Sequence, residues 1–484
     1  MKTTRYTRCR SGAVLSLGGL LFLMTACAPK TPKENSSETP VIFPDYKNVV
    51  VPCNIAPLNF MMDGASRISA DFFVGNEKLF TVSGTNTIKI PEDDWQDGLK
   101  QARGKQMRVS VSVWNDQHQE GVKYRDFQIT VSADSITPWI AYRLIPPGYV
   151  LWKSMGIYQR HLENFEEECV VSNNENHDGC VNCHSFQNYS PERFLFHARG
   201  KNGCSVLVQN GVPERLELDK MEPHFKGTYP FWHPKGRFIV LANCDTHQAF
   251  YGHSNNKVEV YDLESDLMVY DTQEKKVITD PRFTEKRYWE TFPAFSPDGK
   301  SLYFCRAQAC NIPKEYDKLK YALLRTDFNE QNGTLGSRVD TLYNPATEKG
   351  SVSFPRISPD GKYLLFTESD SGTFPIWHKK ADLKMINLAT GERVNTDALN
   401  SSDVDSYHSW DQKGKWIIFS SRRLDGRYTR LFIAHFDEKT GFSKPFLLPQ
   451  KAPVQNHERM YSYNIPEFVS GPVDLKESVA DLFE

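Results

Sequence analysis

Cys180-Val181-Asn182-Cys183-His184 places two thiols three positions apart, with an imidazole directly after the second. That spacing suits covalent attachment of a c-type haem: each thiol adds across one vinyl group of the porphyrin and the histidine ligates the iron. Cys180, Cys183 and His184 are therefore the expected haem-c residues, with His184 as the axial ligand. The same run admits other chemistry. A C-x-x-C redox pair expects a surrounding βαβ pattern, whereas residues 173–179 are polar and loop-like. A structural zinc site needs four ligands, and beside His177 and Cys169 no second C-x-x-C or H-x₃-H pair completes the set. A plain disulfide or two unligated thiols is the remaining alternative. The sixth iron ligand is left open among Met155, His161, His177, His197, His224 and His233, each of which also reads as a core methionine or a hydrogen-bonded histidine.

Haem attachment belongs to an exported protein, and the first residues carry an export pattern. Lys2, Arg5, Arg8 and Arg10 precede an apolar run from Ala13 to Ala26, which ends in Thr25-Ala26-Cys27. The run is too short to span a bilayer. Its end resembles the bacterial lipobox, with Met24 where Leu is usual; the resemblance implies that residues 1–26 are a signal peptide and that Cys27 carries the lipid. The mature chain is then expected in the cell envelope, anchored by lipid rather than spanning the membrane. Residues 27–40 are Pro, Ser and charge without apolar periodicity, which predicts a flexible tether. With Cys9 and Cys27 set aside, Cys53, Cys169, Cys204, Cys244, Cys305 and Cys310 remain beside the haem pair, and Cys305 with Cys310 is the nearest possible disulfide. Basic residues number 58 and acidic residues 60, for a net charge of −2, so nothing marks a nucleic-acid footprint.

The elements that must position the five-residue run read as β structure. From residue 41 to 135, alternating stretches at Arg67 to Val74, Thr87 to Ile90, Met107 to Trp114 and Tyr124 to Ser132 predict the strands of a β-sandwich. Residues 136–188 read as a connector that holds the C-x-x-C-H. Met155, Tyr158, Leu162 and Phe165 recur there at helical spacing, which predicts a helical turn or two between Ser154 and Glu167. From residue 189 to 484 the chain repeats itself. Thr228-Tyr-Pro-Phe-Trp-His-Pro-Lys-Gly-Arg237, Thr291-Phe-Pro-Ala-Phe-Ser-Pro-Asp-Gly-Lys300, Ser353-Phe-Pro-Arg-Ile-Ser-Pro-Asp-Gly-Lys362 and Ser406-Tyr-His-Ser-Trp-Asp-Gln-Lys-Gly-Lys415 share one pattern, and each precedes an apolar run. The unit is a strand, a tight turn and a second buried strand. An eroded first copy at Tyr189 to Phe196 and a partial last one at Met460 to Pro466 bring the count to six, the number of blades in a closed ring. The expected fold class is all-β: a β-sandwich, a short partly helical connector and a six-bladed propeller.

The runs Phe295-Ser-Pro-Asp-Gly-Lys300 and Ile357-Ser-Pro-Asp-Gly-Lys362 resemble the turn signature of TolB-like six-bladed propellers, a resemblance that covers Ser190 to the C-terminus. Taken with the export signal, the sandwich and the C-x-x-C-H, the chain resembles exported TolB-like lipoproteins of Bacteroidetes, some of which are linked to cytochrome c biogenesis. Two departures from the repeat, His408-Ser409-Trp410-Asp411 and Trp232-His233, are candidate site positions. No G-x-S-x-G elbow, P-loop, G-x-G-x-x-G after a strand or H-E-x-x-H is present, and the consecutive Glu166, Glu167 and Glu168 read as a solvated face. The expectation is a lipid-anchored haem protein, not an enzyme, that transfers electrons or senses redox state and docks a protein partner on its propeller. The alternatives are a non-catalytic propeller binding a protein, peptide or glycan, and an accessory factor in cytochrome c biogenesis.

Overall fold

A computed structural model describes residues 31–146, 154–223, 225–250 and 258–484. The expected signal peptide, Cys27, Trp152 and His224 lie outside them. The fold is mostly β, an N-terminal mixed-sheet domain followed by a six-bladed propeller with few helices.

The N-terminal domain is built on one sheet whose centre is the antiparallel pair Arg67–Val74 and Lys105–Trp114. At its edge the pairing turns parallel, Val49–Val51 running beside Phe127–Val131 and Glu34–Asn35 beside Val122–Lys123. The sheet is therefore mixed, and one layer of the expected sandwich is replaced by a helix and a short two-stranded pair, Phe60–Met61 with Thr87–Ile88. The helix, Glu92–Ala102, opens with three acidic residues that suit the positive end of its dipole, and it buries Trp95, Leu99 and Ala102 along one side. Trp95 is fixed there by its Nε1–H donating to the Ile55 carbonyl at 2.8 Å and by its edge against Phe72. The expected tether is also ordered in its second half. The Glu34 N–H donates to the Gly121 carbonyl and that of Ser36 to Lys123, and Glu34 pairs with His118 at 2.7 Å, so these residues extend the sheet instead of hanging free of it.

Six sheets, each with a four-strand path, make the propeller. Blade 1 takes Trp139–Ile145, Gly156–His161 and Glu167–Ser172 from the start of the domain, and its inner strand, Ser462–Val469, from the C-terminus. This corrects the expected helical connector. Tyr158 and the residues around it pair as strands, because Gly156–His161 lies antiparallel to Trp139–Ile145 on one side and to Glu167–Ser172 on the other, and these ladders override the helical spacing of four apolar residues. The propeller accordingly begins near residue 139, not at 189, and the ring closes by pairing the two ends of the domain. Blades 2 to 6 follow in order, with inner strands Cys180–Phe186, Thr228–Trp232, Tyr288–Phe295, Ser351–Ile357 and Asp405–Trp410. One core runs from the N-terminal sheet into blades 1 and 6, where Ile140, Tyr142, Trp416, Ile418 and Phe468 pack with Trp95, Val109 and Ile129. Among the described residues no helix is long and apolar enough to cross a membrane.

Candidate functional site

Every inner strand carries the same irregularity. The register slips between Asn182 and Ser185, Thr228 and Phe231, Thr291 and Ala294, Ser353 and Arg356, Ser406 and His408, and, on the closing strand, between Asn464 and Glu467. At each slip one non-glycine residue takes a positive φ: Cys183 (53°), Tyr229 (47°), Phe292 (49°), Phe354 (54°), Tyr407 (46°) and Ile465 (51°). Such a backbone is uncommon for residues with a Cβ. Its recurrence at one register in all six blades makes it a device of the fold. The residue that follows is Pro230, Pro293, Pro355 or Pro466 in four blades, and His184 or His408 in the other two.

Cys183 and His184 therefore occupy the repeat's bulge, in the place of Tyr229-Pro230 or Phe292-Pro293. The first true copy of the repeat is the C-x-x-C-H strand itself; Tyr189-Ser190-Pro191 is its turn, leading into Arg193–Arg199. The placement does not fit a haem. Cys180 is packed with Met155, Val171, Phe194 and Cys204 in the core shared by blades 1 and 2, whereas Cys183 faces the propeller axis beside Tyr229, so the thiols do not share a face. The cavity next to Cys183 and His184 measures about 50 Å³. A water needs only ~10–15 Å³ of such space, while small-molecule and cofactor pockets run to ~300–1,000 Å³. His184 is 2 % exposed, with its ring against the backbone of Ala141 and Ile465 and neither nitrogen in a hydrogen bond of good geometry, and burial pushes its pKa down to about 3. Burial likewise pushes the Cys183 thiol up.

The proposed sixth ligands are dispersed. Met155 is core, His161 lies against the Trp139 ring, and His177 caps a 3₁₀ turn. His197 Nδ1 meets Ser205 Oγ at 3.0 Å and His233 Nε2 the Gly299 carbonyl at 3.1 Å. All eight described cysteines are free thiols, so the Cys305–Cys310 disulfide is not formed; Cys305 is buried in blade 4 and Cys310 half-buried beyond its strand.

The bulges converge on a different site. Rings of Tyr229, Phe292, Phe354 and Tyr407 turn toward the axis, stacked or tilted on their neighbours at 4.6–4.7 Å. Phe374, from the loop after the second strand of blade 5, inserts among them with its centroid 5.7, 5.8, 5.4 and 5.9 Å from the four rings in turn. This aromatic plug blocks the axis. On its far side, at the ends of the inner strands where the Ser-Pro-Asp-Gly turns form a rim, lies a cup of about 350 Å³ lined from all six blades. Its wall holds Phe186, Phe231, Trp232, Phe295 and Trp410, and its rim Tyr189, Pro297 and Gln412.

Two charges stand at its base. Arg356 and Glu467 are the second residues after the bulge in blades 5 and 1, the register held elsewhere by Ser185, Phe231, Ala294 and Ser409. The guanidinium lies 3.9 Å from the Glu467 carboxylate and over the Phe231 ring at 5.1 Å, and the Arg356 side chain is 22 % exposed. Burial pushes Glu467 up to about 7, against the pull of Arg356 and of the Phe186 N–H, which donates to its Oε2 at 3.0 Å. Of the two departures noted in the sequence, Trp232, Ser409 and Trp410 line this cup, while His233 and His408 serve structural hydrogen bonds, the latter to the Leu365 carbonyl. Arg356, Glu467 and Phe374 were not anticipated. Aligning the copies through the C-x-x-C-H and through Met460 to Pro466 brings the first two into one column as its two charged members.

No protein-family model and no curated protein matches the chain. Among solved structures, TolB from Acinetobacter baumannii is similar over 78% of this chain and 85% of that one, at 14% identity and a TM-score of 0.43. Kuenenia stuttgartiensis hydrazine synthase is similar over 71% of this chain and 48% of that one, at 11% identity and 0.44. A puromycin-hydrolyzing peptidase of Mycobacterium tuberculosis is similar over 72% and 52%, at 10% identity and 0.36. This chain thus spans about half the length of the second and third. The six-bladed architecture itself rests on the six sheets and their closure.

Proposed function

We propose that this chain is a non-catalytic binding module that takes a segment of a protein, peptide or glycan partner into the axial cup. The observation behind this reading is the convergence of all six blades on one aromatic-walled recess that the Phe374 plug makes blind. Aromatic side chains give large contact area with little rotamer entropy to lose, and few charges in such a wall favour contact over chemistry. Three of the hydroxyls in the cup are engaged without a histidine partner: Ser409 Oγ donates to the Pro466 carbonyl at 2.8 Å, Ser296 Oγ to Asp298 at 2.5 Å and Tyr189 Oη to the Asp411 carbonyl at 3.5 Å. Covalent haem forms no part of this reading, given the divergent thiols and the small cavity.

The test is an array of immobilised random peptides and oligosaccharides probed with the wild-type protein and with Pro297→Trp, which places an indole across the exposed rim. A set of ligands held by the wild type and lost in the variant supports the cup. No ligands, or the same set for both proteins, sinks it. From Thr25-Ala26-Cys27 we further infer a lipid anchor in the cell envelope, so Cys27→Ala should move the protein from the membrane to the soluble fraction, and its retention there would contradict the anchor.

A further inference from the structure

We propose that Arg356 makes the axial cup a receptor for a carboxylate group, carried at the tip of the segment that enters. The proposal rests on the cup being the binding site. Arg356 offers five N–H donors in a rigid fork. The structure gives its guanidinium one hydrogen bond, from Nη1 to the Pro355 carbonyl at 3.1 Å, and an approach to Glu467 that at 3.9 Å is beyond hydrogen-bond length. The fork thus faces a recess with donors to spare, over the Phe231 ring and walled by Trp232, Phe295 and Trp410. A carboxylate matches such a fork with two parallel N–H···O bonds, and charge-assisted bonds of this kind are stronger than neutral ones.

Charge count selects carboxylate over phosphate. With Glu467 uncharged, the form its burial favours, Arg356 is the one charge among the described residues lining the cup, so a singly charged anion is balanced where a dianion is not. Shape selects a tip over a continuous chain, because the plug of Phe374, Phe292, Phe354 and Tyr407 stops anything threading the axis. A carboxylate on an apolar stem can be the C-terminus of a peptide or an Asp or Glu side chain on a loop.

Saturation-transfer NMR on the full chain, with small probes in place of a partner, decides. The probes are N-benzoylglycine, its amide, and N-benzoylglutamic acid α-amide, whose one carboxylate is on the side chain. At least ten-fold tighter binding of an acid than of N-benzoylglycinamide, abolished by Arg356→Gln, is the expected result, and the tighter of the two acids identifies the source. Equal binding of acid and amide, lost in Pro297→Trp, overturns the carboxylate assignment while the cup stands. An acid preference that survives Arg356→Gln overturns the role of this residue, and no binding of any probe overturns the carboxylate receptor whatever the array shows. The acid-to-amide comparison in the wild type needs no variant, so a misfolded Arg356→Gln leaves it decisive.

Discussion

Replacing His184 by proline separates the two meanings of Cys183-His184. Were His184 an iron ligand, the change would remove the cofactor. As a repeat position, it restores what Pro230, Pro293, Pro355 and Pro466 already occupy. The preceding residue is no obstacle, since Tyr229, Phe292, Phe354 and Ile465 precede proline at φ values of 47–54°, the range that holds Cys183 at 53°. Proline at a compatible position stabilises by about 0.4–1 kcal/mol through the unfolded chain. Removing a buried ring whose nitrogens lack partners relieves roughly 1–3 kcal/mol. Against this, the loss of roughly 40 Å³ of side chain at about 24 cal/mol per Å³ costs about 1 kcal/mol, with a similar amount for lost contacts. The expected net change lies within about 2 kcal/mol of zero, a shift in Tm of no more than about 5 °C in a scanning fluorimetry or calorimetry trace. The wild type, produced with c-type maturation machinery, should show no α band in a pyridine haemochrome spectrum. A Tm lowered by more than about 10 °C, or a haem band that His184→Pro or Cys180→Ala/Cys183→Ala removes, would refute the reasoning.

Glu467→Gln should raise stability at alkaline pH and leave it unchanged in acid. The fold keeps this carboxyl protonated up to about 7 against 4.5 unfolded, so the wild type loses stability as pH rises between those values and stays low above them, a difference of about 2–4 kcal/mol at pH 8 that thermal melts from pH 4 to 8 would show or exclude. His184, His197 and His408 have the opposite sign. Burial pushes each down to about 3, so each favours the fold while neutral and withdraws that support as pH falls below the unfolded value of 6.5. At pH 5 the loss is roughly 1–2 kcal/mol per histidine, enough together for a steep fall in Tm between pH 6 and 4, and a flat profile there would count against their burial. Phe374→Ala should cost about 3–5 kcal/mol and open the base of the cup, read as a lowered Tm together with altered fluorescence of Trp232 and Trp410; an unchanged Tm would mean that the plug is not packed.

The architecture was legible from the Ser-Pro-Asp-Gly turns, because each marks the reversal between two buried strands and needs residues that few other structures need. Four of the six copies kept that turn or its Gly, and the flanking strands appear where the alternation placed them. What escaped was set by pairing over long distance. Blade 1 joins Trp139–Ile145 to Ser462–Val469, and no local pattern tells three strands near residue 150 that their fourth lies at the other end of the domain. The helix at Glu92–Ala102 was hidden by its Gly98 and four acidic residues, although Trp95, Leu99 and Ala102 fall on one face.

Spacing alone carried the reading of Cys180 to His184 as a haem site, and the strand that holds them sends the two thiols apart. Haem attachment requires the two thiols of C-x-x-C-H to reach one porphyrin edge, with the histidine turned to the iron, and spacing alone says nothing of direction. On a bulged inner strand, three positions carry Cys180 into one core and Cys183 to the axis, while the fold's positive φ at Cys183 and its preference for proline next determine how that backbone runs. The repeat held the competing information. Asn182-Cys183-His184-Ser185-Phe186 lines up with Thr228-Tyr229-Pro230-Phe231-Trp232 once the copy is started at Asn182, and in that alignment the unusual residues of the column are no longer the cysteine and histidine but Arg356 and Glu467, the two charges that the six strands bring to the base of one cup.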